Sequence, residues 1–304
     1  MREYSFEGRV AVVTGAGRGI GRAYALLLAA RGARVVVNDL GGSMQGVGTD
    51  AGPASAVVAE IVAAGGIAAA DTSDVSTIAG AQALVDGAVD QFGRVDILVN
   101  NAGIIRWAAM PAADADNLAQ HLAVHVTGSL NTTRAAWPAM VEQGYGRIVM
   151  TGSAGMFGLP ENISYATAKA GVIGMTRSLA LSGAAHDIKV NVIAPAAMTR
   201  MAGQPADAPG AAAMAPDLVA PMVAFLAHED CPVSGEVFAA GAGRFARIFI
   251  ASTEGYLSSA AEPTIEEIAE HWDAINDETG YYVPTDLLSW SAAFTGHLGR
   301  DTAR

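Results

Sequence analysis

The stretch from Arg9 to Gly21, taken with Asp39, restricts this chain's possible folds most. It reads Arg9-Val10-Ala11-Val12-Val13-Thr14-Gly15-Ala16-Gly17-Arg18-Gly19-Ile20-Gly21. The apolar run Val10–Val13 makes a short buried strand, and glycines follow at 15, 17, 19 and 21. An Ala/Leu-rich helix is expected from about Arg22 to Ala30, then a second apolar strand, Ala33 to Asp39, ending in an acid. Strand, glycine turn, helix and acid-terminated strand is the sequence form of a dinucleotide site. Glycine lets the backbone turn tightly and approach a pyrophosphate. The helix N-terminus adds unpaired N–H groups and a partial positive charge. Gly15, Arg18, Gly19, Ile20 and Gly21 are therefore the candidate phosphate cradle. Asp39 is placed to accept hydrogen bonds from adenosine ribose hydroxyls and to repel a 2′-phosphate, which selects NAD over NADP. The spacing is Gly-x-x-x-Gly-x-Gly rather than Gly-x-Gly-x-x-Gly.

Apolar strand-like runs alternate with helical patterns along most of the chain. That alternation predicts an α/β fold, a doubly wound parallel sheet of about seven strands with helices on both faces. Further strands are expected at 66–70, 95–99, 146–151, 188–193 and 235–239, with helices at 53–64, 76–92, 114–143, from about 164, and at 217–228. Leu40 to Gly48 is a glycine-rich loop, read either as a surface insertion or as a flap at the adenosine end of the cofactor. Ala196 to Pro216 is expected to be a mobile lid. The main domain is placed at 1–240. A helical C-terminal extension, 241–304, is expected to pack on it or on a dimer partner. Thr264-Ile265-Glu266-Glu267 should open a helix with a capping box.

A net charge of −12 with no Lys/Arg cluster argues against nucleic acid and anionic membranes as partners. The single cysteine, Cys231, allows no disulfide within the chain and fits a reducing compartment. Met1-Arg2-Glu3-Tyr4 has no signal-peptide pattern, Asp301–Arg304 matches no targeting tripeptide, and no apolar run reaches spanning length, so cytoplasmic is the expectation. His121 and His125 share a helix face, but no third ligand accompanies them, so no metal site is expected.

A second constellation lies in Ser164-Tyr165-Ala166-Thr167-Ala168-Lys169. Tyr165 and Lys169 stand at i, i+4 on one face, and Ser153 follows the fifth strand. A nearby cation favours a phenolate and lowers its pKa. Tyrosine beside lysine can thus accept an alcohol proton while the carbon gives a hydride to nicotinamide. Asn101, Ala102 and Gly103 end the fourth strand, where open α/β sheets bind ligands. Asp74, followed by Val75, either caps the next helix or meets the adenine amino group.

Thr14-Gly15-x-x-x-Gly19-x-Gly21, Asn100-Asn101-Ala102-Gly103, Ser153 and Tyr165-x-x-x-Lys169 together resemble the short-chain dehydrogenase/reductase family over about residues 7–240. The resemblance implies a Rossmann-type fold and hydride transfer to NAD(P). It makes Tyr165 the acid/base and Lys169 the ribose-binding residue that depresses the Tyr165 pKa. Ser153 orients the substrate oxygen, and Pro195, Met198 and Thr199 join the cofactor residues. Val36–Gly42, Gly46-Val47-Gly48, His125-x-x-Gly128-Ser129 and Thr133–Trp137 are similar to one subgroup, the (3R)-hydroxyacyl-CoA dehydrogenase domains of peroxisomal multifunctional enzymes. That similarity implies an acyl-CoA substrate and a homodimer or homotetramer. Most family members have Asn where His125 stands, so His125 is either part of a proton relay or a packed helix residue. The Ser153–Tyr165 interval is one residue shorter than the family's usual, and Glu161 would repel CoA phosphates. The expected reaction interconverts a secondary alcohol and a ketone, with (3R)-3-hydroxyacyl-CoA as substrate. A free hydroxysteroid is the alternative, and a non-catalytic NAD-binding regulator a further one.

Overall fold

A computed structural model describes residues 3–202 and 210–298. The chain divides into two units, Met1–Arg247 and Ile248–Arg304.

The first unit is built on one eight-stranded sheet, ordered β3-β2-β1-β4-β5-β6-β7-β8. Its strands are β1 Val10–Thr14, β2 Arg34–Asn38, β3 Ile67–Asp71, β4 Ile97–Asn100, β5 Gly146–Thr151, β6 Ile188–Pro195, β7 Val237–Gly241 and β8 Arg244–Ile248. Every registered pairing from β3 through β7 is parallel. Parallel strands buried on both faces read as continuous apolar runs. Accordingly, β1, β4 and β5 are buried at every residue. The strand order reverses direction at β1, between β2 and β4, so the carboxyl ends of β1 and β4 flank the crevice where such sheets bind ligands.

The eighth strand was not expected. Only Ala242 and Gly243 separate it from β7, at φ 50° and 73°. Two residues with positive φ make a tight hairpin turn, so β8 returns antiparallel along the edge.

The helices are α1 Gly19–Ala30, α2 Gly52–Ala63, α3 Ile78–Phe92, α4 Ala115–Leu122, α5 Ser129–Gln143, α6 Ile163–Gly183 and α7 Ala220–Leu226. α1 packs with α2 and α7, whereas α3 packs with α5 and α4 with α6. Three expectations change here. Helix α1 starts at Gly19, so the last glycines of the turn form its first turn. The expected helix 114–143 is broken by a wide π turn, Ala123–Gly128, which holds His125. The expected helix 217–228 shortens to α7, preceded by a 3₁₀ turn at Pro216–Leu218, because Pro216 and Pro221 each suit a helical first turn. In the expected lid, 3₁₀ turns occupy Arg200–Ala202 and Ala211–Met214, and Met198 N–H donates to Met214 C=O at 2.7 Å. Positions 203–209 of that lid, and Asp301–Arg304, lie outside the described residues.

The second unit contains α8 Ile265–Glu270, α9 Trp272–Ile275 and α10 Leu287–Thr295. Thr264 caps α8 through Glu267 N–H, but the return half of the expected capping box is missing. The Glu267 carboxylate instead accepts from Tyr256 and Ser258. Asp286 and Ser289 form a complete capping box on α10.

Candidate active site

At Gly17 and Gly21 the glycine turn leaves no space for a side chain. A Cβ on Gly21 would stand 2.4 Å from the Gly15 carbonyl oxygen, and one on Gly17 would stand 2.7 Å from Asp39 Oδ2. Gly15 and Gly19 hold φ of 61° and 56°, the left-handed region that favours glycine. Helix α1 begins with no side-chain cap and no acid in its first turn, so its leading N–H groups remain for an anion. Asp39 Oδ2 accepts from Gly17 N–H at 2.9 Å and Oδ1 from Gly41 N–H at 2.7 Å. Each carboxylate oxygen keeps a lone pair for a ribose hydroxyl. The residues present therefore fit a dinucleotide.

The turn is braced from β4. Thr14 Oγ1 accepts from the N–H groups of Asn101 and Ala102, each at 3.0 Å. Asn101 Nδ2 donates to Thr14 C=O at 3.0 Å and Gly15 C=O at 3.1 Å. Arg18 reaches Gly42 C=O at 3.4 Å, and the Thr199 methyl lies 3.6 Å from a Cβ position on Gly19. Pro195 closes β6. The Leu40–Gly48 loop packs inward, since Ile105 N–H donates to Met44 C=O at 2.8 Å. Asp74 is not the cap of α3. Thr77 is, accepting from Gly80 N–H, while Asp74 Oδ1 accepts from the backbone and hydroxyl of Ser76. Val75 C=O accepts from Asn131 at 3.3 Å.

Beyond Gly103 the contacts run on to the reacting side chains. A Cβ on Gly103 would meet His125 Cε1 at 2.5 Å, so only glycine lets the imidazole approach. The His125 and Tyr165 ring centroids are 5.4 Å apart at 90°. Ser153 Oγ accepts from Gly155 N–H at 3.0 Å, and a Cβ on Gly155 would meet both that oxygen, at 3.4 Å, and the Tyr165 ring, at 3.5 Å. The short Ser153–Tyr165 interval is accommodated by a 3₁₀ turn, Ala154–Phe157. Lys169, buried on the same helix as Tyr165, donates from Nζ to Thr151 C=O at 2.7 Å.

The electrostatics correct one expectation. Burial raises the Tyr165 phenol above its ordinary value, and the Ser153 hydrogen bond works against that rise. The expected depression by Lys169 is absent: burial and Ser153 alone act on the phenol, and burial lowers Lys169 itself to about 7. Burial, then Lys169, holds His125 well below its ordinary value, so it is neutral. His125 Nε2 lies 2.8 Å from Ile104 C=O; taking Nε2 as the donor leaves Nδ1 as a buried acceptor with no partner.

Sequence reasoning missed three contributors. Asn162, buried, caps α6 through Tyr165 N–H, a role its Asn type before an apolar helix could have signalled. Asn117 and Arg106 tie the segment after β4 to α4, and no local pattern marks them. No cluster of three or more metal-ligating side chains occurs among the described residues.

A short chain dehydrogenase family model matches residues 9–208. A short-chain type dehydrogenase/reductase of Mycobacterium tuberculosis is 41% identical over 90% of this chain and 95% of its own length. Peroxisomal multifunctional enzyme type 2 of Mus musculus is 42% identical over 90% of this chain, which spans 37% of that protein. Among solved structures, full-length peroxisomal multifunctional enzyme type 2 from Drosophila melanogaster aligns with a TM-score of 0.80 at 32% identity, covering 97% of this chain and 50% of that one. A short chain dehydrogenase from Mycobacterium avium gives 0.78 at 36%, covering 90% and 97%. The arrangement of glycine turn, Ser153, Tyr165 and Lys169 on a doubly wound sheet and these matches agree: the chain belongs to the short-chain dehydrogenase/reductase family and is an oxidoreductase of secondary alcohols.

Proposed function

We propose that the protein is an NAD-dependent dehydrogenase that interconverts a (3R)-3-hydroxyacyl-CoA and the 3-oxoacyl-CoA. The observation that carries this reading is the half-buried Tyr165, facing His125 and flanking Gly155 together with Ser153, at the sheet edge that holds the glycine turn. Bound NAD supplies the hydride acceptor. Ser153 Oγ orients the alcohol oxygen, and Tyr165 takes its proton during oxidation or returns it during reduction. Lys169, poised at about 7, can gain and lose a proton near neutrality. His125 Nδ1, a buried acceptor, ends the relay. The hydrogen bonds that Asp39 accepts from Gly17 in the turn and from Gly41 just after β2 hold its carboxylate where an adenosine ribose would lie, which supports NAD.

A free hydroxysteroid is the second reading. Trp107 and Met110, after β4, and Phe157, after β5, are 55%, 68% and 74% exposed. The Ala108–Asn162 bridge, next to Glu161, joins the segment after β4 to the start of α6. The active form is a homodimer or homotetramer in this reading, because Leu287, Leu288 and Phe294 leave α10 with an exposed apolar face. No helix among the described residues is long and apolar enough to cross a membrane. A panel of 3-hydroxyacyl-CoA thioesters, free hydroxysteroids and small alcohols, followed by NADH absorbance, tests the reading. Turnover of thioesters is expected; turnover of free steroids alone replaces it with the second reading.

A further inference from the structure

We propose that His121 is a positioning residue that holds the Ile104–Arg106 backbone, and through it Tyr165 and His125, in the working geometry. This rests on the reading of Tyr165 as the acid/base. His121 is fully buried. Its Nδ1 lies 2.8 Å from Asn117 C=O, and its Nε2 lies 3.2 Å from Arg106 N–H. A carbonyl only accepts and an amide only donates, so one tautomer, neutral with the proton on Nδ1, satisfies both. Both ring nitrogens are committed, which leaves none for a metal.

The clamp continues toward the reacting tyrosine. Arg106 C=O accepts from Asn117 Nδ2 at 3.1 Å and from Asn162 Nδ2 at 3.2 Å. Asn162 Oδ1 in turn accepts from Tyr165 N–H at 3.1 Å. One path thus runs from His121 through Arg106 and Asn162 to the first turn of the helix that carries Tyr165. A second path is through the rings. His121 stacks on His125 with centroids 6.0 Å apart and planes 10° apart, and meets the Tyr165 ring edge-on at 6.2 Å. The groups facing His121 are Arg106, Lys169, His125, Tyr165 and the Asn117 carbonyl. A proton on Nε2 would stand against the Arg106 N–H and break the clamp.

The test compares His121→Phe, which keeps a ring but loses both hydrogen bonds, with His121→Gln, whose carbonyl can accept from Arg106. In His121→Phe the Arg106 amide should exchange about tenfold faster and kcat should fall about tenfold, with NAD affinity within about twofold of wild type. His121→Gln should restore Arg106 protection and part of kcat. Unchanged exchange and kcat in His121→Phe overturn the proposal. Long-range ¹⁵N NMR of the wild-type protein adds a readout independent of any variant's folding. A neutral Nδ1–H ring is expected; an Nε2–H ring overturns the assignment. Wild-type protein that turns over no secondary alcohol removes the proposed function, while the exchange and NMR results still decide whether His121 holds Arg106.

Discussion

The Tyr165 ring stands perpendicular to the His125 ring, their centroids 5.4 Å apart. That contact places the phenol against a buried neutral imidazole, with Ser153 on the other side of Gly155 from its ring. Removing the hydroxyl leaves the rings packed but deletes the proton acceptor. Tyr165→Phe should therefore lower kcat by roughly 10²–10⁴-fold with NAD binding retained. Stopped-flow kinetics and nucleotide titration measure the two effects separately; wild-type kcat in the variant would remove Tyr165 from the chemistry.

Asp39 holds both the turn and the expected ribose. Asp39→Ala should relax discrimination against NADP, read as the ratio of kcat/KM for the two cofactors. It also leaves Gly17 and Gly41 N–H without their acceptor, so a loss of about 1–3 kcal/mol in denaturant unfolding should accompany it. Wild-type protein that already prefers NADP would contradict the cofactor assignment.

Lys169 makes stability depend on pH. Its value falls from 10.5 to about 7 on burial, so across that interval the unfolded chain carries a proton that the native chain lacks. Stability should rise with pH through this window. Lys169→Met removes the group, and its unfolding free energy, compared at the two ends of the window, should rise less than wild type's. Equal slopes in the two proteins would show that the amine is not depressed.

Two glycines of similar sequence appearance should respond oppositely to alanine. A Cβ on Gly21 meets the Gly15 carbonyl, which cannot move without opening the turn. Gly21→Ala should cost about 1–3 kcal/mol and weaken NAD binding. On Gly174, exposed within α6, a Cβ meets nothing within 4 Å, and Gly174→Ala should stabilise by up to about 1 kcal/mol. Thermal melts and NAD titration decide both.

At the amino edge of the sheet, Asp96 is fully buried. It accepts from Arg9 at 3.1 Å, from Arg94 at 2.6 and 2.8 Å, and from Val10 N–H at 2.9 Å. Asp96→Ala leaves Val10 N–H without its acceptor and takes the shared carboxylate from Arg9 and Arg94, both partly open to water, and should cost about 1–3 kcal/mol. Because the reacting residues lie at the opposite edge, kcat well below the melting temperature should hold. A large fall in kcat without a fall in stability would contradict this placement.

The strands were readable because a parallel strand buried on both faces is a continuous apolar run, as in Val10–Val13 and Val35–Val37. Gly19, Gly21 and Asp39 were readable because a phosphate turn needs particular residue types at fixed spacing. The π turn around His125 was not, since its residues have the helical periodicity of their neighbours and the widening is settled by packing against Gly103. Strand β8 was missed for a related reason: its residues are mostly exposed at a sheet edge, so no apolar run marks Arg244–Ile248.

The linear order of residues by itself determined the doubly wound sheet, the glycine turn, Asp39 and the pairing of Tyr165 with Lys169, because each follows from local periodicity or spacing. Only the tertiary structure decided the protonation of the site and the work of His121. Burial acts through everything packed around a group: it raised Tyr165, where a neighbouring lysine alone pointed the other way, and it lowered Lys169. The clamp from His121 through Arg106 and Asn162 joins three separate stretches of chain, and folding alone brings their donors and acceptors within reach.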